Sequence, residues 1–163
     1  MGKTISKPNP KNLEFSYPPK WMPIVLEVVS LAGLVISSYL TWAHYASAHL
    51  LDCSTTGLIN CSAVTTSPES FLFHIPVAVL GVVFFIAMVA LNSPWAWKSQ
   101  IIAIRYLRLG MAIGGIGMVF YLVYSELFVI GAICLWCSSV HVLTLIIFIL
   151  VVLGTGKTAK INS

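Results

Sequence analysis

The sequence predicts an all-α integral membrane protein, a bundle of four helices with both termini in the cytoplasm. Three observations carry that expectation. Hydrophobic residues make up 58% of the 163-residue chain and charged residues only 9%. Ordinary globular domains carry about 25% charged residues, so there is too little polar surface here to cover a soluble sphere. Apolar runs recur that match the roughly 20 residues a helix needs to cross the hydrocarbon core. The nine Lys and Arg residues fall on alternate connections between those runs.

Taken in order, residues 1–20 form a polar arm with Lys3, Lys7, Lys11 and Lys20 among prolines 8, 10, 18 and 19. Its prolines and missing apolar periodicity argue for a disordered or surface-lying segment. Residues 21–155 form the membrane domain. Trp21 anchors the start of the first span, about 24–43, and Glu27 in its first turns reads as an interfacial carboxylate near a helix N-terminus. The polar stretch before this run, and the run's length, speak against a cleaved signal at Ala46-Ser47-Ala48. Residues 44–70 are the one long polar loop, holding Cys53 and Cys61. A short helix begins near Ser62–Val64, and Thr65-Thr66-Ser67-Pro68-Glu69 reads as a capped turn into the next helix.

The second span covers about 71–91, with His74 and Pro76 in its opening turns, where a proline breaks no internal bond. Asn92-Ser93-Pro94 ends it, and Trp95 and Trp97 form an aromatic belt ahead of Lys98, Arg105 and Arg108. The third span covers about 106–125. Its Gly110-x-x-x-Gly114 has the spacing that lets helices pack closely; room for a flat ligand is the other use of these glycines, and packing is preferred. Glu126–Ile130 is read as a tight connection. The fourth span covers about 131–153, with Cys134 and Cys137 in its first two turns. Residues 156–163 are a short tail.

The charges orient the bundle. Of the nine Lys and Arg, four lie in the arm, three between 92 and 108 and two in the tail, while the loops 44–70 and 126–130 carry none. The positive-inside rule then puts both termini in the cytoplasm. Both cysteine pairs fall on the extracytoplasmic face, where disulfides persist. The basic residues form no stripe interleaved with aromatics, which excludes nucleic-acid binding.

The chain has four cysteines, Cys53, Cys61, Cys134 and Cys137. Two pairs on one face suggest electrons passed between them by thiol–disulfide exchange. Three other readings stand beside this one. Inert structural disulfides are poorly served by a Cys-x-x-Cys inside a helix. A four-cysteine metal site would need a tighter spacing than Cys-x7-Cys, and no metal is expected. Buried free thiols acting as small hydrophobes would leave the grouping to chance. Cys134 at a helix N-terminus is where the dipole and free N–H groups favour a thiolate. His141 shares the helix face of Cys134 and Cys137, either beside a bound oxidant or hydrogen-bonded to a neighbouring helix. No haem or dinucleotide motif is present, so a diffusible quinone is the expected final electron acceptor.

Cys53-x7-Cys61, Ser67 six residues later, and Cys134-Leu-Trp-Cys137 opening the last of four spans together resemble the vitamin K epoxide reductase family, over about residues 21–153. The short Cys53–Cys61 loop, Ile75-Pro76 and Cys-Leu-Trp-Cys look more like its microbial members. The Thr-Tyr-Ala motif of the animal enzymes is absent, and Ser138-Ser139-Val140-His141 occupies that neighbourhood. The resemblance implies a four-helix bundle around a quinone of menaquinone or ubiquinone type. It implies that Cys134 and Cys137 are the active-site pair, with Cys137 reacting with quinone, and that Cys53 and Cys61 are the shuttle pair. Cys53 would take electrons from a separate thioredoxin-like (DsbA-type) protein on the outer face. Ser67 would support the loop or the quinone site.

The expected function is therefore a quinone-linked thiol oxidoreductase that forms disulfides, in the inner or plasma membrane. The alternatives are a vitamin K epoxide or quinone reductase in a cofactor cycle, and a non-enzymatic membrane subunit held by disulfides.

Overall fold

The computed structural model describes residues 19–46, 59–72, 74–98 and 101–157. The arm up to residue 18, the loop segment that contains Cys53, and the tail beyond 157 lie outside the described residues.

Helix α1 spans Trp21–Ala46. Hydroxyls inside this apolar helix are satisfied by carbonyls one turn back: Ser30 donates to Leu26 at 2.7 Å, Ser38 to Leu34 at 2.7 Å and Thr41 to Ser37 at 2.8 Å. Lipid offers such groups no partner, so local back-bonding is what allows them there. Ser30, Gly33 and Ser37 are buried and form a small-residue face against helix α3 (Val77–Asn92). The Phe85 ring occupies the place a Cβ on Gly33 would need, and Gly81 sits against Ser37. Asn92 donates to the Ser30 hydroxyl at 3.2 Å.

Between α1 and α3 the described chain forms a short helix α2 (Cys61–Thr65), a 3-10 turn (Pro68–Ser70), and a two-residue hairpin of β1 (Phe71–Leu72) and β2 (Ile75–Pro76). The hairpin corrects the expected second span of 71–91. Pro76 is extended (ψ 132) and stands outside the helix, Ile75 before it is pushed toward β conformation by the proline ring, and His74 turns the chain at φ 67. What remains of α3 is 16 residues, about 24 Å at 1.5 Å per residue, short of the roughly 30 Å hydrocarbon core. The described chain thus has three helices long and apolar enough to cross a membrane, Trp21–Ala46, Ile102–Ile130 and Leu135–Thr155, plus this shorter one.

Helix α4 (Pro94–Lys98) is capped by Ser93, whose hydroxyl accepts from the Ala96 N–H at 3.3 Å. The expected aromatic belt divides here. Trp95 is 77% exposed, whereas Trp97 packs on the core and under the Arg108 guanidinium, 3.7 Å from its ring centroid. Arg108 lies on helix α5 (Ile102–Tyr124) and is buried, donating through two nitrogens to the Leu91 carbonyl near the end of α3. It is a clamp rather than a solvated charge. Arg108→Met is expected to destabilise the fold by about 2 kcal/mol, read as a lower unfolding midpoint in detergent.

Helix α5 does not stop at 125. A π-helical turn, Ser125–Ile130, carries it to Gly131, whose left-handed φ of 67 ends it. Residues 126–130, expected as a tight connection, therefore belong to the helix. Helix α6 runs Leu135–Lys157, starting four residues later than expected. The contacts Asn92–Ser30 and Arg105–Thr155 place the start of α1 and the ends of α3 and α6 at one end of the bundle. One apolar core lies at that end, around Met22, Leu26, Phe85, Met88 and Ile147. The second, around Leu40, Ala43, Cys61, Val64 and Cys134, lies at the other.

Candidate functional site

The second core is held together by the loop resting on the start of α6. Ile59 pairs with Ile133 as an isolated parallel bridge, and the Asn60 N–H donates to the Ile133 carbonyl at 3.2 Å. Asn60 then caps α2, its side-chain oxygen accepting from the Ala63 N–H at 3.0 Å, which satisfies a donor that would otherwise be orphaned beside the apolar core. Thr65, Ser67 and Ser70 tie the following turn through their hydroxyls to Cys61, Val64 and Thr65 carbonyls respectively. His44, on the last turn of α1, meets the Thr65 carbonyl at 3.2 Å. The result sets Cys61 into the same buried cluster as Cys134. Cys61 is disulfide-bonded, and Cys134 and Cys137 are free thiols.

Cys134 was expected in the first turn of the helix. It stands one residue before it. Its carbonyl accepts from Ser138 N–H at 2.8 Å, and its Sγ accepts from the Cys137 N–H at 3.3 Å. That is the geometry of an N-cap side chain bonded to the third helical residue. The Cys-x-x-Cys spacing is thus a capping spacing in which sulfur replaces the usual oxygen. The Cys137 thiol, together with the Cys137 and Trp136 backbone N–H groups, holds the Cys134 thiol below the ordinary cysteine range in spite of burial. A thiolate so stabilised is a good sulfur to receive and release electrons by exchange. Trp136 between the cysteines packs on Tyr39 of α1, ring centroids 5.0 Å apart, which fixes the direction in which α6 leaves the site.

Cys134 is 0% exposed, with the Cys61 core on one side of it. Cys137 is one turn deeper and lines a cavity of about 340 Å³ between α1, α3, α5 and α6. The cavity walls are mainly apolar, including Leu40, Leu80, Phe84, Met118 and Val140. Its polar groups gather in two places. His44, Thr65, Ser67, Glu69 and Ser70 come from the end of α1 and the loop, and Ser125, Glu126, His141 and Thr144 from α5, the π-turn and α6. This volume and lining suit a small flat apolar ligand. The structure thus places Cys137, Ser67 and His141 on one cavity, with Cys134 and Cys61 packed behind it; Cys53 lies outside the described residues.

The glycines divide as well. A Cβ on Gly115 would come within 2.8 Å of the Phe84 ring and 3.1 Å of Thr144, so that glycine does permit close packing. Gly110 and Gly114 meet nothing within 4 Å, and both line the cavity. Packing, preferred from their spacing, is not what these two do; they leave open space at the rim of the cavity.

Sequence reasoning passed over Glu126 by placing it in a connection. It is 5% exposed and lines the cavity. The signal available was that it is the sole acidic residue after Glu69, eight positions before Cys134.

The model of the vitamin K epoxide reductase family matches residues 24–152 of the chain. No curated protein matches it in a sequence search.

Proposed function

The chain belongs to the vitamin K epoxide reductase family, oxidoreductases of quinone-linked thiol chemistry, and from that premise we propose that it makes disulfides by passing electrons from a thioredoxin-like protein to a membrane quinone. The observation that carries this reading is the layering of the sulfurs: disulfide-bonded Cys61 and Cys134 share a buried cluster, and Cys137 faces the apolar cavity.

Cys53 is the proposed partner of Cys61, since the other two of the four cysteines are free thiols. A thiolate of the outer protein attacks Cys53 and forms a mixed disulfide. Its second thiol resolves that bond, leaving the outer protein oxidised and Cys53 and Cys61 reduced. The Cys61 thiolate then attacks Cys134 in a Cys134–Cys137 disulfide, and Cys137 leaves as a thiolate. Cys53 attacks Cys61, restoring the shuttle disulfide and releasing reduced Cys134. Each exchange breaks one S–S bond and forms one.

A quinone held in this cavity would supply the oxidant, an acceptor for the two electrons and two protons released when Cys134 and Cys137 join. The residues present fit such a group. The walls are mainly apolar, the Gly110 and Gly114 edge leaves room for a planar ring, one thiol faces the space, and hydroxyl and imidazole groups are among the lining. Ser67 donates its own proton to the Val64 carbonyl and keeps lone pairs free. His141, one helical turn beyond Cys137, is the group proposed to hydrogen-bond a quinone oxygen. The cysteines are assigned to the extracytoplasmic face and both termini to the cytoplasm of an inner or plasma membrane, on the distribution of Lys and Arg. The quinone is of menaquinone or ubiquinone type.

The test is anaerobic mixing of fully reduced protein with a soluble quinone analogue, with quinol followed by absorbance and disulfides mapped by mass spectrometry. One quinol per Cys134–Cys137 disulfide is expected. Metal bound in stoichiometric amount with no quinol formed would point to a different role.

A further inference from the structure

The buried carboxyl group of Glu126 has no part in the sulfur exchanges. Of the acidic residues described, it alone is both buried and on the cavity. Its position is built with care for a charged group in an apolar bundle. The π-turn widens the end of α5, so that Ser125 and Glu126 turn inward while Leu127, Phe128 and Val129 stay exposed, as lipid-facing residues do. Such turns recur at functional sites because they re-aim a side chain within an otherwise regular helix. The Glu126 carbonyl accepts from the N–H groups of both Gly131 and Ala132, which pins the backbone on the far side. The Glu126 carboxyl group faces the backbone N–H of Cys134, which sets it near the capping sulfur.

The chemistry of the site leaves a need that this group meets. Joining two thiols as a disulfide releases two electrons and two protons. Reducing a quinone to a quinol consumes the same two electrons and two protons. Cys134 is favoured as a thiolate, so the proton of the pair sits on Cys137, where the mainly apolar cavity walls offer few groups to receive it. Transfer through a positioned acid–base group is the ordinary solution. The other titratable groups facing this space are His141 on the same helix as the thiols, His44 at the end of α1, and Glu69 in the loop. Of these groups only Glu126 faces the Cys134 backbone N–H.

We propose that Glu126 is the proton carrier of the Cys134–Cys137 pair, taking a thiol proton as the disulfide closes and delivering it to a quinone oxygen in the cavity. The second proton goes by the other titratable groups of the cavity or by solvent. The assignment rests on the quinone-reducing role set out above.

A purely structural Glu126 would serve only to hold the Cys134 N–H, and a glutamine oxygen does that equally well. The experiment is single-turnover oxidation of the reduced full-length protein by a soluble quinone analogue under anaerobic conditions. Wild type, Glu126→Gln and Glu126→Ala are compared, with unfolding midpoints measured in parallel. Glu126→Gln is expected to slow quinol formation on the order of 100-fold. Glu126→Ala is expected to be as slow and to regain rate in proportion to added formate, a small acid able to carry the proton. A Gln variant within about twofold of wild type overturns the assignment. If Gln fails to fold, an Ala variant that is slow and indifferent to formate overturns it equally. A wild-type protein that makes no quinol would count against the quinone-linked function itself, a result separable from either.

Discussion

Cys137→Ala is expected to abolish quinone reduction, by at least about 10⁴-fold, the scale on which loss of a group forming a covalent bond is felt. The geometry makes the effect asymmetric between the two neighbouring cysteines. Cys137 lines the cavity, while Cys134 is 0% exposed and packed into the Cys61 cluster. With Cys137 gone, the remaining thiol can still exchange with Cys61 but faces no oxidant, and no second sulfur is left to close the bond. Cys53→Ala is expected to behave differently. It blocks use of the protein partner while a chemically reduced sample still makes quinol in a single turnover. Stopped-flow absorbance of quinol, with and without the partner, separates the two. A Cys137→Ala protein that reduces quinone at the wild-type rate would sink the mechanism.

Gly114→Trp is expected to remove quinone binding while the helices stay packed. Nothing lies within 4 Å of a Cβ at Gly114, and the residue is on the rim of the cavity, so the indole enters space that the ligand would fill. Excluding about 160 Å² of ligand surface, at about 25 cal/mol per Å², forfeits roughly 4 kcal/mol. That corresponds to about a 1000-fold weaker association. Gly115→Trp is the contrasting case. Its Cβ already meets the Phe84 ring and Thr144, so it lowers the unfolding midpoint itself. A Gly114→Trp protein with unchanged quinone KM would show that the ligand sits elsewhere.

The near identity of these two glycines in sequence, and their difference in place, shows where reading the chain reaches its limit. Gly-x-x-x-Gly spacing says that one helix face is bare. It does not say whether a neighbouring helix or a cavity stands opposite. Pro76 is a similar case. A proline is tolerated in a first helical turn and just before one, and local rules do not separate the two; the hairpin closed by β1 and β2 decides it. Glu126 was misplaced because a π-turn has no composition of its own, so the helix seemed to end where its charge began.

Other features were legible because they depend on local chemistry or on sums along the chain. Too few charges for the length required lipid around the helices. Three of the four expected spans are present as helices long and apolar enough to cross a membrane. Two residues between Cys134 and Cys137 suffice to put both at a helix start, because a cap and its third helical residue are close whatever surrounds them.

The sequence by itself determined that this is a helical membrane protein and that its cysteines come in two pairs, one of them at a helix N-terminus. It also carried the pattern by which the chain was placed in its family. Only the tertiary structure decided what lies between the helices: that Cys134 packs with Cys61, that Cys137 and His141 share a cavity with Ser67, and that Glu126 turns in to join them. The reason is physical. Helix formation and membrane partitioning are set by residues within one segment. A cavity is the space left where side chains of four segments fail to meet, and no single segment encodes it.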